Sequence, residues 1–153
     1  MNEIDYSFEY GVAVHEAAHV AMRYILFKNI DTIKSVSVGV RNGSAGRVKE
    51  DVKKKWEEYE DAMCEPSFDQ VGGYAFRECC YSLAGVVADM IFDGLQEIPY
   101  KNSVEDFDSL YSFIGLPDGK TDELLEAATP ETIKIVKDNF QSIKTIIFFI
   151  ITI

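Results

Sequence analysis

The chain has 153 residues, of which 47% are hydrophobic, and its formal net charge at pH 7 is -11. This length and composition favour one domain with one hydrophobic core, spanning residues 1–153. The acidic balance excludes nucleic acid as the expected partner, because contacts to phosphate groups require a basic surface.

Two features of the sequence predict a cytoplasmic protein. The segment 1–10 contains acidic residues and lacks the apolar core of a signal peptide, so export is not expected. Cys64, Cys79 and Cys80 form an odd set without the spacing of a metal site, which is typical of reduced thiols.

The first predicted element is a long helix over residues 8–27, a segment that lacks Pro and is rich in Ala, Val, Met and Leu. It contains both histidines of the chain in the pattern H-E-x-x-H, formed by His15, Glu16 and His19. Residues four apart share a face of a helix, so the two imidazoles can hold one metal ion while Glu16 reaches a water bound to it. The motif therefore predicts zinc-assisted hydrolysis.

The apolar setting of this helix is a second argument for a ligand. The helix is apolar on most sides, which predicts that it lies inside the domain. Two buried histidines without partners would be costly, so they need either a metal ion or hydrogen-bond partners. The alternative to a metal site is thus a pair of structural histidines.

A small hairpin or sheet is predicted next, followed by an amphipathic helix. Residues 33–40 alternate in apolar character, and Asn42 and Gly43 supply turn chemistry before a second short segment. The segment 35–40 could provide an edge to which an extended peptide adds as a strand, unless an ordinary paired hairpin leaves no free edge. In the charged segment 49–65, four apolar side chains recur at helical spacing and predict a helix that covers the domain: Val52, Trp56, Tyr59 and Met63.

Helices also dominate the rest of the chain. A second long helix is predicted over 74–92, and its small residues, Ala84 and Gly85 among them, would let another helix approach closely. A third helical pattern begins near 103 and stops at the break 115–117.

The last predicted helix begins at Thr129 and Pro130, a good cap and first-turn pair. It leads into the apolar segment 145–153, which is about half as long as the roughly 20 apolar residues that a membrane span needs. We therefore expect this end to be buried against the core, with no membrane in this chain. The elements together predict a mainly α fold of the α+β class, with a small β hairpin or sheet.

Four segments resemble a known family. They are residues 10–20 (YGVAVHEAAHV), the alternating segment that ends near Gly46, residues 83–94 (LAGVVADMIFDG) and residues 104–110 (VEDFDSL). In this order they are similar to the peptidase domain of the FtsH-type ATP-dependent zinc metalloproteases, peptidase family M41. The resemblance spans roughly residues 8–115, and the histidine helix is its most specific part. It implies a zincin-like helical domain with a small β element, in which an aspartate far downstream of the histidines is the third zinc ligand.

The chain also departs from the family. Ala18 stands where the family usually has Gly, Ala84-Gly85-Val86 stand where it usually has Gly-Gly-Arg, and Ala88-Asp89 stand where it usually has a Glu pair. These changes predict fewer polar groups around the metal. No phosphate-binding G-x-x-x-x-G-K-[ST] motif occurs, so the resemblance implies a stand-alone domain without the family's ATPase and membrane segment. A separate ATPase partner or assembly into a homo-oligomer would be compatible with such a domain.

Asp106 is the predicted third zinc ligand. A site that keeps one position for water needs one more side chain besides the two histidines. Under the resemblance, Asp106 aligns with the family's Asn-Asp-apolar pattern, and on a helix it shares a face with Leu110 and Phe113.

Asp106 has an alternative role, and the ligand has alternative candidates. Ser103 and Asp106 also fit the pattern S-x-x-D, in which the acid caps the start of a helix. Asp108 is the second choice as ligand, and Asp89 and Asp93 on the second long helix are less favoured.

The sequence thus predicts a zinc metalloendopeptidase that cleaves peptide bonds in flexible or unfolded polypeptides. His15, His19 and Asp106 hold Zn²⁺, and Glu16 is the catalytic base. The first alternative is a catalytically inactive regulatory or adaptor domain that keeps the metal. The second is a structural interaction module in which the histidines are packed or hydrogen-bonded.

Overall fold

The architecture consists of helices packed around one short hairpin. The computed structural model describes residues 6–41 and 44–151. Within these residues the chain forms six α-helices, a 3-10 turn and two antiparallel strands, in the following order: α1 (Tyr6–Phe27), β1 (Ile33–Arg41), β2 (Ser44–Glu50), α2 (Val52–Met63), α3 (Tyr74–Phe92), the 3-10 turn Tyr100–Ser103, α4 (Val104–Ile114), α5 (Asp118–Asp138) and α6 (Phe140–Ile151). The predicted mainly α fold with a small β hairpin is confirmed.

The helix and strand boundaries largely follow the sequence signals. Helix α3 coincides with the predicted segment 74–92, and α4 ends at Gly115, whose positive φ of 67° glycine adopts without strain. Ile33 lies opposite Glu50, and after a register shift the strands pair from Ser35 opposite Lys49 to Val38 opposite Gly46. The predicted turn residues 42–43 lie outside the described part of the chain.

The predicted start of the last helix at Thr129 and Pro130 is wrong. Pro130 lies inside α5, which continues to Asp138 before α6 begins. A proline lacks one backbone N–H and disfavours a helix interior, but tertiary packing can outweigh this cost. Here Thr132 and Ala128, which flank the proline, are fully buried, and the Thr132 hydroxyl donates a hydrogen bond to the Ala128 carbonyl at 2.8 Å.

The core is centred on α3, which packs against α1 on one side and α5 on the other. Both helices carry small side chains without exposed surface, Ala13 and Ala17 on α1 and Ala84 and Ala88 on α3. Such side chains permit the close approach predicted for α3.

The apolar end of the chain packs on the same core through α6. Helix α6 contacts α1, and its side chains Ile143 and Ile147 are buried. Burial of the apolar end, as predicted, is confirmed as far as Ile147. No helix in the described ranges is long and apolar enough to cross a membrane.

The face of α2 that turns inward differs from the predicted one. Val52, Trp56 and Met63 are 69%, 46% and 56% exposed, whereas Lys55 and Ala62 are buried. Of the four apolar residues on the predicted face, Tyr59 alone packs against the core; apolar spacing missed Lys55, because a lysine is expected at the surface. Helix α2 still packs over the domain, as predicted, but buried ion pairs make part of this contact.

Lys55 is the centre of a buried ion cluster. Its ammonium lies 2.6 Å from Glu50 on β2 and 2.9 Å from Glu78 on α3. Burial lowers the pKa of Lys55, but the two carboxylates outweigh burial and raise its pKa above the usual range. On the other side of Glu78, the fully buried Arg23 of α1 pairs with Glu58 of α2. The cluster therefore joins α1, β2, α2 and α3.

Replacement of Lys55 by Met should lower the free energy of unfolding by about 3 to 5 kcal/mol, because Glu78 would lose its paired cation inside the protein. Denaturant unfolding followed by circular dichroism measures this change. Lys53→Met is the matched control, since Lys53 is exposed on the same helix, and it should change the free energy by less than about 0.5 kcal/mol. Equal unfolding midpoints for the two variants would contradict a structural role of the cluster.

Candidate metal centre

The two histidines of α1 lie on one face of the helix, as predicted. His15, Glu16 and His19 are all buried, and the two imidazole rings have their centroids 5.0 Å apart. One turn of helix brings the rings side by side, because residues four apart are neighbours on its surface.

Helix α3 binds the outward nitrogen of each ring. Nδ1 of His15 donates to the Asp89 carboxylate at 2.8 Å, and Nδ1 of His19 donates to the Tyr81 carbonyl at 2.7 Å. A carbonyl can only accept, so the proton of a neutral His19 lies on Nδ1 and the lone pair on Nε2. Outer partners of this kind are typical of histidines that ligate a metal ion through the other nitrogen.

The position of His15 also depends on a glycine between these two partners. Tyr81, Gly85 and Asp89 recur every four residues and form one stripe on α3. A Cβ atom at Gly85 would lie 2.3 Å from Nε2 of His15, so the ring rests directly on the helix backbone. Only glycine leaves this space free without moving the ring.

Asp106 of α4 completes a group of three potential ligands. Its Oδ2 lies 3.2 Å from Nε2 of His19 and 3.7 Å from Nε2 of His15. These spacings agree with tetrahedral zinc, since bonds of about 2.1 Å place ligand atoms roughly 3.4 Å apart. The three ligand atoms all lie within 4.8 Å of one another.

One buried nitrogen in this group lacks a hydrogen bond. Nε2 of His19 has no hydrogen-bond partner in the described part of the chain, although Oδ2 of Asp106 lies 3.2 Å away, because the lone pair of Nε2 and the carboxylate oxygen are both acceptors. A buried imidazole nitrogen without a partner is costly, so a ligand at this point would stabilise the arrangement. The residues present therefore fit a metal ion, and two nitrogens with one carboxylate oxygen are a donor set that suits zinc.

Ser103 takes a different role from the one that the capping pattern allows. It is the N-cap residue of α4, but its side chain makes no capping hydrogen bond. Its Oγ lies instead 3.3 Å from Nε2 of His15, and Asp106 turns towards the histidines. The geometry thus favours the ligand role of Asp106 over the cap.

The other candidate ligands lie elsewhere. Asp108 is exposed and lies outside the residues that line the cleft over the histidines, and Asp93 is exposed at the rim of that cleft. Asp89 bonds to His15 from behind and also accepts a hydrogen bond from Asn102 at 3.3 Å. The expectation of fewer polar groups around the metal is therefore wrong at Asp89, which supplies the carboxylate behind the ring.

Two contributions to the site were missed by the sequence analysis. A backbone carbonyl such as that of Tyr81 leaves no signal in a sequence, because every residue carries the same backbone carbonyl whatever its side chain. Asp89 could have been identified as a hydrogen-bond partner of a histidine instead of a zinc ligand. It lies one helical turn from Gly85, the position on α3 with room for a close approach.

The carboxylates around the rings favour positive charge between them. Burial lowers the pKa of His15, but Asp106 and Asp89 outweigh burial and raise its pKa to about 10. Burial raises the pKa of Asp106, but His19 and His15 outweigh it and hold its pKa well below the usual range. A divalent cation would gain from the same carboxylates, and it would compete with protons for the ring nitrogens.

Glu16 differs from Asp106 in its environment. Burial raises the pKa of Glu16 above the usual range, although both histidines oppose this shift. Strand β2 packs against its stem, since a Cβ atom at Gly46 would lie 3.2 Å from Cγ of Glu16. A buried carboxylate with a raised pKa is suited to accept and return a proton.

An open cleft of about 1120 Å³ lies over this group. His15, Glu16, His19 and Asp106 line it, and β2 borders it through residues 46–50. The predicted peptide-binding edge at 35–40 belongs to β1, and its described residues do not line the cleft. The strand beside the site is thus β2.

Asp106→Asn should weaken zinc binding by more than about 100-fold, because it removes the only carboxylate among the three potential ligands. Loss of a residue that merely orients a ligand typically costs up to about 100-fold, and loss of a ligand should cost more. Competition with a chromophoric chelator measures the affinity. Asp108→Asn, two residues away and exposed, should bind zinc as tightly as the wild-type protein. Loss of binding in Asp108→Asn with retention in Asp106→Asn would reverse the assignment.

Gly85→Ala should lower zinc affinity by about 10- to 100-fold, because the new methyl group displaces the His15 ring that it would otherwise touch at 2.3 Å. The same chelator competition measures it, with circular dichroism as a check on helix content. Gly119→Ala is the control, since a Cβ atom there meets nothing within 4 Å. An unchanged affinity in Gly85→Ala would show that the ring position is not important for binding.

The comparisons with known proteins leave the family open. No protein-family model matches the chain. No curated protein and no solved structure matches it either. The resemblance to the M41 peptidases remains a prediction based on the motif segments.

Proposed function

We propose that the protein is a zinc-dependent metallopeptidase that hydrolyses peptide bonds in flexible or unfolded polypeptides. The observation that carries the proposal is the convergence of His15, His19 and Asp106 within 4.8 Å, beside the buried carboxylate of Glu16 and under an open cleft. We also infer an M41-like peptidase domain and a cytoplasmic setting, which rest on the sequence features alone.

The residues divide into those that would hold the ion and those that orient them. His15 and His19 would bind zinc through Nε2, and Asp106 through a carboxylate oxygen. When bound at such a site, zinc lowers the pKa of a water molecule and polarises a carbonyl group. Asp89 and the Tyr81 carbonyl keep the Nδ1 protons in place, so both lone pairs face the same point.

Glu16 would move the proton. Its carboxylate accepts a proton from the attacking water and then delivers it to the nitrogen of the leaving amine. Burial supports this role, because it makes the carboxylate more basic than an exposed glutamate. The contact with β2 at Gly46 limits the rotamers of Glu16 and keeps the carboxyl group at the cleft.

Strand β2 would position the substrate. Its residues 46–50 border the cleft beside the metal ligands, so an extended peptide could lie along it. A peptide bond must enter this cleft in an extended conformation, which folded proteins rarely offer outside loops and termini. We therefore infer that flexible or unfolded segments are the substrates.

Glu16→Gln should lower kcat/KM for an unfolded, fluorescently labelled protein by about 10²- to 10⁴-fold, because the amide cannot take the proton. Zinc content should stay at the wild-type value, since Glu16 is not among the three ligands. Glu105→Gln is the control, because Glu105 lines the same cleft but is exposed, and it should retain activity. Equal activities of Glu16→Gln and the wild-type protein with zinc present would contradict the peptidase proposal and favour the metal-binding adaptor.

A further inference from the structure

The cleft extends beyond the metal ligands to an aromatic wall. The wall consists of Val52 and Trp56 from α2 and Phe113 from α4, and all three line the same cleft as His19 and Asp106. The ring centroids of Trp56 and Phe113 lie 5.5 Å apart at an interplanar angle of 60°. We refer to these three residues as the aromatic wall.

Two of the three wall residues expose more of their apolar side chains than such residues usually do. Val52 is 69% exposed and Trp56 46%, although both lie on a helix whose inward face buries a lysine. Large apolar side chains that stay in water at the edge of a cleft mark binding sites more often than scattered surface residues do. The folding of α2 therefore does not account for the position of Trp56.

The wall is also held rigidly from behind. The Tyr59 ring packs edge-on against Trp56 at 5.3 Å and against Phe113 at 5.1 Å between centroids. The Tyr59 hydroxyl donates a hydrogen bond to the Ile114 carbonyl at 3.0 Å, which joins α2 to the end of α4. A preformed apolar surface binds a side chain with little loss of conformational entropy.

The distance to the metal ligands follows from the geometry of α4. Asp106 and Phe113 are seven residues apart on one face, which corresponds to about 10 Å along the helix axis. An extended peptide covers this distance in about three residues. A substrate whose cleaved bond lies at the metal ligands would thus place a side chain about three residues away against the wall.

The three wall residues are uncharged, and the cations Arg47, Lys49 and Lys101 of the same cleft belong to β2 and the 3-10 turn, so the wall itself suits an apolar side chain. The Lys55 ammonium lies 5.1 Å from the centroid of the Phe113 ring, but it is already paired with Glu50 and Glu78. It therefore does not provide a counter-ion for a carboxylate of the substrate. The net charge of -11 further disfavours acidic segments.

We propose that the aromatic wall is a specificity subsite that takes a large apolar side chain of the polypeptide, such as Leu or Phe, about three residues from the cleaved bond. The inference deepens the proposed function and rests on it, because the occupant is the substrate of the same cleft. The protein would accordingly select hydrophobic segments, which folded proteins bury and unfolded chains expose.

Trp56 is the single tryptophan of the chain, so its fluorescence reports directly on the wall. The experiment uses the zinc-loaded Glu16→Gln variant, which binds without turnover, and two tryptophan-free peptides of Gly, Ser and Ala that differ by one Leu or Asp. The Leu peptide should change the Trp56 emission in a saturable way and bind about tenfold or more tightly than the Asp peptide, because burial of a Leu side chain stabilises binding by that factor. Equal affinities, or an emission that does not respond, would overturn the proposal.

Variants separate the wall from the fold. Phe113→Ala and Val52→Asp, each in the Glu16→Gln protein, should reduce affinity for the Leu peptide about tenfold. Phe113→Ala should leave affinity for the Asp peptide unchanged, whereas Val52→Asp should not raise it, because the new carboxylate repels the acidic side chain. Val52→Asp keeps the test valid if Phe113→Ala unfolds, since Val52 is exposed and an acid suits the first turn of a helix. Met63→Ala, exposed on α2 and outside the cleft, should bind both peptides as before. Loss of Leu selectivity in Met63→Ala, or retention in both wall variants, would contradict the subsite.

The two proposals fail independently. If Glu16 proves irrelevant to hydrolysis while Leu binding depends on Phe113 and Val52, the wall binds apolar peptides and the peptidase proposal falls. If cleavage depends on Glu16 but the active protein cleaves Leu and Asp peptides with equal kcat/KM, the peptidase stands and the subsite is overturned.

Discussion

The site depends on one constraint, which is that α3 binds both histidines from behind. Asp89 and the Tyr81 carbonyl hold the Nδ1 atoms, and Gly85 between them leaves room for the His15 ring. With the outward nitrogens fixed, both Nε2 atoms must face α4, where Asp106 lies 3.2 and 3.7 Å away. The same residues in a helix that packed differently would give two histidines with unrelated orientations. The candidate metal site therefore depends on the interface between α1 and α3, and α4 completes the group of potential ligands.

Local patterns were sufficient for the parts of the molecule that local physics determines. The histidine face of α1 and the limits of α3 follow from helical periodicity, and the sequence predicted both. Asp106 was predicted from the resemblance to the M41 peptidases, and its spacing to Leu110 and Phe113 supported an inward position on a helix. The choice between ligand and cap could not be made from the pattern, since both roles use the same residue at the same place. It depends on where α4 lies relative to α1, which is a tertiary property.

Predictions failed where partners distant in sequence outweighed local preference. The inward face of α2 carries Lys55 rather than Val52 or Trp56, because Glu50 and Glu78 compensate the cost of burying its charge. Glu78 lies 23 residues from Lys55, so no window of helical length contains the pair. The strand that borders the cleft is β2, because Gly46 packs on Glu16, and the alternation of β1 does not determine this placement.

The buried lysine also explains how the aromatic wall keeps its place relative to the metal ligands. Lys55 precedes Trp56 on α2, and its partner Glu78 lies one turn of α3 before Tyr81, whose carbonyl holds His19. A short chain of contacts thus joins the wall to the histidines through charged groups with definite geometry, whereas purely apolar packing would allow α2 to shift with little cost. Buried ion pairs contribute little net stability compared with well-packed apolar side chains, but they specify one arrangement among similar ones. Under the proposed function, a fixed aromatic wall would hold a substrate side chain about 10 Å from the metal ligands, and this would give the buried lysine a role that apolar periodicity does not reveal.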